Sequence, residues 1–196
     1  MVITEANMVS EKKETKSSSM LEAAHELFTS KGVNETSIDD IVKKAKVAKG
    51  TFYLYFKDKY DLVDRIASKK STAVILAALN ELDRACQQNP MPFTDRIIFF
   101  VDYIIEYLQN NKQLFRILYK DLSKGLFATD EAKAASSRFC DGYVAEGGDP
   151  ATAKQTLFLL VELVGSTCYS AISEERPYTM DEIRPALYTA LKKIIR

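Results

Sequence analysis

The residues best suited to contact another molecule are Lys49, Gly50 and Thr51, which are consecutive in the chain. A lysine ammonium can donate a hydrogen bond to guanine, and threonine offers a hydroxyl group and a methyl group that suits thymine. Glycine lacks a side chain, so another surface can approach its backbone closely. Tyr53 and Tyr55 follow, with hydroxyl groups that can bond to phosphate oxygens while their rings pack. These residue types predict contact with the bases and backbone of a DNA duplex.

Two short helices must hold these residues in place. Ser37 and Asp40 fit a capping box, in which each side chain satisfies a backbone amide at the start of a helix. The apolar positions that recur at helical spacing are Ile38, Ile41, Val42 and Ala45. A second helix is expected from about Ala48 to Phe56. Only Lys46 and Val47 lie between the two, so the helices must cross steeply, as in a helix-turn-helix.

The charge of this stretch agrees with a DNA partner. Positions 43 to 59 carry six lysines and one aspartate, a local excess of five in a chain whose formal net charge is zero. Such a field suits a phosphate backbone. Base contacts are expected from Lys49, Gly50 and Thr51. The complete set of expected DNA-binding residues is Thr36, Ser37, Lys46, Lys49, Gly50, Thr51, Tyr53, Tyr55 and Lys59.

The N-terminal third resembles the DNA-binding domain of the TetR family of bacterial transcriptional regulators. The resemblance lies in MLEAAHELFTSKG (Met20 to Gly32) and TSIDDIVKKAKVAKGTFYLYFKDKYDL (Thr36 to Leu62). Lys46 stands where the family usually has a turn glycine, so either the turn avoids a positive φ or it is slightly strained. Ala48 replaces the usual small hydroxyl residue, which removes a helix cap and a phosphate contact.

The rest of the chain is predicted to be helical. Residues 1–17 are expected to form a flexible arm, 18–62 the DNA-binding domain, and 63–196 a ligand-binding and dimerisation domain. Helix 1 should run from Ser18 to Lys31. A helix from about Lys59 to Gln88 would span about 45 Å and connect the two domains. Further helices are expected at 93–109, 112–123, 129–146, 151–173 and 180–196, which makes about nine. No alternating strand pattern or fixed repeat is present, so the class is all-α.

A ligand pocket in the C-terminal bundle is implied by the resemblance. Aromatic residues at helical spacing are usually ordinary core, but this bundle is rich in phenols, whose buried hydroxyl groups need partners. The candidate lining residues are Phe99, Tyr103, Glu106, Tyr107, Phe115, Tyr119, Phe127 and Tyr143. They favour a flat or apolar inducer, and Glu106 could meet a cationic ligand or face water.

The resemblance also implies a homodimer. The last two helices, 151–173 and 180–196, would pack against the same helices of a second copy, which accounts for the strongly apolar stretch around LFLLVELVG. The residues expected at this interface are Leu157, Leu160, Val161, Val164, Cys168, Leu187 and Leu191.

Together these observations predict a transcriptional regulator, most simply a repressor, released from a pseudo-palindromic operator by a small inducer. The alternative is a TetR-like coregulator or helical ligand-binding protein that does not bind DNA. An enzyme is not expected, because a single histidine and the lack of a glycine-rich phosphate loop or metal-ligand spacing leave no catalytic constellation. No cofactor or metal is expected. The N-terminus has no apolar signal core and no apolar run of about 18 residues is evident, which predicts a cytoplasmic protein without a membrane partner.

Overall fold

A computed structural model describes residues 5–112, 115 and 129–195, with side chains from residue 15 onward in those ranges. The described residues contain eight α-helices and no β-strand, which confirms the all-α class. The helices are α1 (Glu5–Lys31), α2 (Ile38–Lys44), α3 (Lys49–Tyr53), α4 (Lys59–Gln88), α5 (Phe93–Asn110), α6 (Asp130–Ala145), α7 (Ala153–Cys168) and α8 (Met180–Ile195). A π-helical turn, Tyr169–Glu174, continues α7. The helix expected at 112–123 lies largely outside the described residues.

Two helix bounds differ from the sequence prediction. Helix α1 begins at Glu5 and not near Ser18. No glycine or proline interrupts residues 5–31, and lysine, glutamate and alanine favour helix, so the helix extends through the expected arm. It ends at Gly32, which has the positive φ of +90° that favours glycine. Helix α3 ends at Tyr53 and is shorter than the prediction, which placed its end near Phe56.

The long helix α4 begins and ends where the sequence predicted. The Asp58 carboxylate caps its first turn, accepting hydrogen bonds from the amides of Tyr60 and Asp61 at 2.8 and 3.0 Å. The chain divides into two compact units, Met1–Ile66 and Ala67–Arg196, so this one helix contributes to both. The predicted boundary after Leu62 lies four residues earlier.

The N-terminal unit is built on a small apolar core. Its fully or nearly fully buried residues come from all four helical segments of the unit and from the residues after α3. They are Met20, Ala23, Ala24, Phe28, Ile41, Val42, Phe52, Phe56, Leu62 and Ile66. Because Phe52 is the only residue of α3 with its side chain in this core, the other α3 side chains are free to face outward.

The C-terminal unit buries the residues that were predicted at a dimer interface. Leu157, Leu160, Val164, Cys168, Leu187 and Leu191 belong to the protomer's own core, and Val161 packs against that core. This placement corrects the prediction. Helix α7 is apolar on several faces, so its spacing did not reveal which face turns inward. The exposed apolar residues of α7 are instead Phe158 and Leu159, at 45% and 58% exposure.

The segment Ala153–Glu174 is long and apolar enough to cross a membrane by length and composition alone. The expectation that no apolar run of about 18 residues is present was therefore wrong for this segment. A core helix of a soluble protein passes the same test, and 44% of the apolar window is buried inside the protein. The burial of its inner face fits a packed helix of the bundle.

Candidate functional site

The first helix of the helix-turn-helix, α2, begins with the predicted capping box. The Ser37 hydroxyl oxygen accepts from the Asp40 amide at 3.1 Å, and the Asp40 carboxylate accepts from the Ser37 amide at 2.9 Å. Lys31 also donates to Asp40 at 2.8 Å. The Lys31 and Ser37 bonds hold the pKa of Asp40 well below its ordinary value. The start of α2 is therefore fixed by the predicted capping box and by the bond from Lys31, which the sequence did not predict.

The turn after α2 adopts the more strained of the two predicted conformations. Lys46 has a φ of +56°, in the left-handed region that disfavours residues with a side chain. At the start of α3, Ala48 makes no side-chain cap bond. Helix α3 therefore begins without the cap that a serine or threonine would supply.

Helix α3 presents its predicted contact residues to solvent. Lys49 and Gly50 are exposed, Tyr53 is 55% exposed, and Thr51 and Tyr55 are half-buried. Phe52 is fully buried and packs against Phe56, with ring centroids 5.5 Å apart. This one anchor holds a short helix of otherwise outward residues.

Gly50 has no packing reason inside the protein. A Cβ built on it meets no atom within 4 Å, and its φ is not in the left-handed region. Glycine in a helix costs about 1 kcal/mol relative to alanine. The described residues around Gly50 therefore give no packing explanation for a glycine at this position.

Lys49 has an ion-pair partner that sequence reasoning missed. Its ammonium lies 2.8 and 3.0 Å from the two carboxylate oxygens of Asp39 on α2. The hydrogen bond with Asp39 raises the pKa of Lys49 above its ordinary value. Lys49 is therefore cationic and exposed, but it must leave Asp39 before it can reach a base.

Two of the predicted contact residues serve the fold in this structure. Thr36 is 1% exposed and its hydroxyl donates to the Gly32 carbonyl at 2.7 Å. The Lys59 ammonium donates to the carbonyl oxygens of Val33, Asn34 and Thr36 at 2.9 to 3.1 Å. These bonds tie the start of α4 to the loop before α2. Thr36 and Lys59 are thus positioning residues here.

The local positive field is smaller than the sequence count indicated. Lys44 pairs with Glu26 at 2.7 Å and Lys49 pairs with Asp39, so acids from outside positions 43–59 offset part of the excess. Lys43, Lys46 and Lys57 are exposed without an ion pair among the described residues. They remain the cations most available for phosphate.

Another surface residue was missed by the sequence analysis. Leu54 follows α3 and is 81% exposed, the largest exposure of any large apolar side chain described. An exposed leucine beside Tyr53 offers an apolar contact of the kind that a thymine methyl group accepts. Arg65 holds this end of α3, because its guanidinium donates to the Tyr55 carbonyl at 3.1 Å and lies 4.8 Å from the Phe56 ring centroid.

The C-terminal unit contains a cavity of about 210 Å³. Helices α4, α5, α6 and α7 line it with predominantly apolar side chains. Among the described residues these include Val74, Leu79, Ile97, Phe100, Ile104, Phe139, Leu160 and Val161. The polar side chains of the lining are Ser71, Arg96, Tyr107, Ser136 and Arg138.

Of the predicted pocket residues that the structure describes, Tyr107 alone lines this cavity. Phe99 and Tyr103 are half-buried outside the lining, and Glu106 is exposed. Phe115 is buried against Tyr169, with centroids 6.2 Å apart, and Tyr143 stacks on Phe139 at 6.0 Å. Tyr119 and Phe127 lie outside the described residues. The bundle thus contains a cavity, but five of the eight predicted residues, Phe99, Tyr103, Glu106, Phe115 and Tyr143, lie outside its lining.

The positions of the cavity-lining residues around the axis of α5 explain this difference. Phe99, Tyr103 and Tyr107 are spaced by four residues, and each step of four rotates by about 40° around a helix of 3.6 residues per turn. The inward face instead carries Ile97, Phe100 and Ile104, roughly 90° away. Tyr107 reaches the cavity because the drift brings it toward that face.

The two arginines of the lining differ in their partners. Arg138 forms a bidentate pair with Asp83, which lowers the pKa of Asp83 and compensates the charge. Arg96 has no ion pair among the described residues, and its buried Nε has no hydrogen-bond partner. Its guanidinium lies 5.6 Å from the Phe93 ring centroid. Ser71 is 5% exposed, and its hydroxyl is likewise without a partner.

Comparison with known proteins agrees with this geometry. A family model described as bacterial regulatory proteins, tetR family, matches residues 20–66. Residues 20–66 therefore resemble that family in sequence. TetR-family regulators are DNA-binding transcription factors and not enzymes.

Sequence identity is lower in relatives whose match extends beyond these residues. The HTH-type transcriptional regulator YvdT of Bacillus subtilis is 51% identical over 53 residues, 27% of each chain. YhgD, an HTH-type transcriptional regulator of the same organism, is 26% identical over 153 residues, 74% of this chain and 78% of the relative. The match thus spans about a quarter of the first relative.

A solved TetR-family transcriptional regulator from Syntrophomonas wolfei superposes with a TM-score of 0.60. The sequences are 20% identical, and the match covers 94% of this chain and 96% of that one. This likeness shows a shared fold along nearly the whole chain.

Proposed function

We propose that this chain is a cytoplasmic, sequence-specific repressor that binds a pseudo-palindromic operator as a homodimer. A small ligand in the C-terminal cavity would release it from DNA. Its TetR-family domain supports the transcriptional role. The operator, the ligand and the contact residues are parts of the proposal.

The observation that carries the proposal is that Gly50 is exposed and that no contact inside the protein requires a glycine there. Lys49 and Tyr53 lie exposed beside it on the same short helix, and no internal contact explains the glycine. Close approach of a duplex does explain it, because a bare backbone lets the start of α3 enter the major groove. Lys49 and Thr51 would meet base edges, and Ser37, Tyr53 and Tyr55 would bond to phosphates.

Dimerisation is proposed through the exposed side of α7. Phe158 and Leu159 are large apolar residues that the protomer leaves exposed, and Glu162 is exposed one turn further on. A palindromic operator needs two recognition helices about 34 to 36 Å apart, or a multiple of this distance, so two copies must be held at a fixed spacing. A self-complementary patch on α7 would supply that restraint.

The proposed switch uses helix α4. The helix continues from the N-terminal unit into the C-terminal unit, where Ser71, Val74 and Leu82 line the cavity. A ligand changes DNA affinity only if it binds one arrangement of the protein more tightly than another. A helix that lines the cavity and also contributes to the DNA-binding unit can couple the two equilibria.

A selection experiment tests the DNA-binding proposal. Genomic fragments are selected on the full-length protein at low salt, and the enriched sequences are examined for an inverted repeat. We expect a repeat with half-sites one or more helical turns apart, and binding that weakens steeply as salt rises.

Recovery of no enriched repeat would contradict the repressor and support the TetR-like coregulator that does not bind DNA. The strained turn at Lys46 and the uncapped start of α3 are the observations that favour this second candidate. A pull-down that compares the wild-type protein with the charge variant Lys49→Glu would then show whether the same surface binds another protein.

A further inference from the structure

We propose that the cavity of the C-terminal unit binds a small apolar monocarboxylate, with its carboxylate at Arg96 and Ser71 and its apolar body among the bundle side chains. This ligand class rests on the proposed function, in which the cavity holds the regulating ligand. It adds a negative charge to the small apolar or aromatic inducer that the sequence favoured.

The cavity size sets the size of the apolar body. An apolar protein cavity of about 150 Å³ holds benzene. The cavity described here has about 210 Å³, so it accepts a body moderately larger than benzene, such as a phenylalkyl group or a chain of about eight carbons. Phe100, Ile104 and Val161 are among the apolar residues that would surround this body. A sugar or nucleotide would leave many polar groups unpaired against such walls.

The charge of the ligand follows from Arg96. No aspartate or glutamate is found among the described lining residues, and Asp83 already compensates the other lining cation, Arg138. Arg96 therefore leaves one positive charge on an apolar cavity, with its Nε buried and unpaired. Arg96 is half-buried overall, and its buried Nε–H stays unpaired unless a hydrogen-bond acceptor enters the cavity. A carboxylate fits the guanidinium because both groups are planar and can form two parallel hydrogen bonds.

Ser71 supplies the second polar contact. It lines the same cavity from α4 and is only 5% exposed. Its hydroxyl has no hydrogen-bond partner among the described residues. An ionised carboxylate only accepts hydrogen bonds, so its two oxygens suit a hydroxyl donor and a guanidinium donor that line the same cavity. A ligand ammonium would instead be repelled by Arg96.

Calorimetry on the full-length protein without DNA tests this assignment. Three probes of equal length are compared at neutral pH: octanoate, octan-1-ol and octylammonium. We expect octanoate to bind about 10- to 100-fold more tightly than octan-1-ol, the range that a charge-assisted hydrogen-bond pair supports. Octylammonium should bind more weakly than both. Equal affinities for octanoate and octan-1-ol would overturn the proposal.

Variants locate the charge that causes the preference. Arg96→Met should remove the preference for octanoate while octan-1-ol binds as before. Ser71→Ala should reduce octanoate affinity alone, and this conservative change keeps the test decisive if Arg96→Met fails to fold. The matched control is Arg84→Gln, which removes an exposed arginine that pairs with Glu81 outside the cavity. A preference that survives both cavity variants contradicts the assignment.

The readouts separate this inference from the proposed repressor function. Octanoate that binds through Arg96 but leaves DNA affinity unchanged supports the carboxylate site and rejects the cavity as the switch. Conversely, a protein that binds its operator but shows no preference among the three probes keeps the DNA-binding function and loses the carboxylate site.

Discussion

Among the proposed DNA-contact residues, Lys49 is the one whose present partner would have to be released if it contacts a base. In the free protein its ammonium is held by Asp39, 2.8 Å away, and both side chains are largely exposed. Exposed ion pairs are weak and are screened by salt. A duplex can therefore displace Asp39 from Lys49, whereas no comparable change is needed for the exposed hydroxyl group of Tyr53.

This difference predicts distinct effects of Lys49→Ala and Tyr53→Phe. Lys49→Ala should weaken binding to the selected operator by about 10- to 100-fold and relax base preference at one position, because a base contact is lost. Tyr53→Phe should weaken operator and random duplexes by the same factor, because a phosphate contact carries no sequence information. Fluorescence anisotropy with both duplexes measures the two ratios, and identical ratios for the two variants would contradict this division of roles.

Gly50 gives a second residue-scale prediction. Gly50→Ala should stabilise the protein by about 0.5 to 1 kcal/mol, because alanine is the better helix former and its Cβ meets nothing. It should nevertheless weaken operator binding, since the added methyl group holds the backbone away from the duplex. Urea unfolding and anisotropy on the same variant test both signs.

Gly147 provides the matched control. Its φ is +94°, so Gly147→Ala places a side chain in a left-handed conformation and should destabilise the protein by about 1 kcal/mol. DNA binding by the folded fraction should not change. If Gly50→Ala binds the operator as the wild type does, Gly50 has no role at the interface.

Sequence reasoning succeeded for residues whose partners are close in the chain. The Ser37 and Asp40 capping box was predictable because each of its bonds joins residues three positions apart. The role of Lys59 was not predictable, because its carbonyl partners at 33, 34 and 36 come from a loop more than 20 residues away. An exposed lysine for phosphate was the simpler interpretation of the sequence.

At the scale of the elements, α2 and α3 differ in how their first turns are satisfied. Ser37 caps α2, whereas Ala48 leaves the start of α3 without a side-chain bond. We expect Ser37→Ala to destabilise α2 by about 1 kcal/mol, and Ala48→Ser to stabilise α3 by up to about 1 kcal/mol. Hydrogen exchange of peptides covering residues 36–56 measures both effects. Faster exchange in Ala48→Ser would show that the backbone at α3 cannot use a cap.

Helix α7 shows why the residues predicted at the dimer interface differ from the apolar residues that the protomer leaves exposed. The adjacent α7 residues Leu159 and Leu160 are equally apolar, yet Leu159 is 58% exposed and Leu160 is 4% exposed. Hydrophobic spacing identifies faces but does not decide between the protomer's core and a partner. For α5, the same ambiguity led to the prediction of an aromatic stripe that lies roughly 90° around the helix from the residues lining the cavity.

The pair Leu159 and Leu160 therefore separates folding from assembly. Leu159→Glu should leave a folded monomer that has lost operator affinity, because the charge enters only the proposed dimer face. Leu160→Asp should destabilise the protomer by about 3 kcal/mol or more, because it places a carboxylate in a closed core. Sedimentation velocity and circular dichroism distinguish the two results. A Leu159→Glu protein that remains a dimer would place the interface elsewhere.

At the scale of the whole molecule, the proposed switch requires one protein to hold two linked equilibria. The N-terminal unit carries the proposed DNA-binding surface, the C-terminal unit carries the cavity, and α4 is a helix of 30 residues with turns in both. Coupling between a ligand and an operator is reciprocal: the factor by which one weakens the other must be the same in both directions. This requirement makes the switch measurable from either site.

We expect octanoate to weaken operator binding, and the operator to weaken octanoate binding by the same factor, about 5- to 150-fold for typical allosteric coupling. Calorimetry of octanoate with free and operator-bound protein gives one factor, and anisotropy of the operator with and without octanoate gives the other. Replacing exposed Lys69 and its neighbour Lys70 with glycine should loosen α4 just beyond the unit boundary and reduce both factors together. Arg84→Gln, further along α4 and outside the cavity lining, should leave both factors unchanged. Octanoate affinity that is the same with and without operator would show that the cavity binds a ligand but does not control DNA binding.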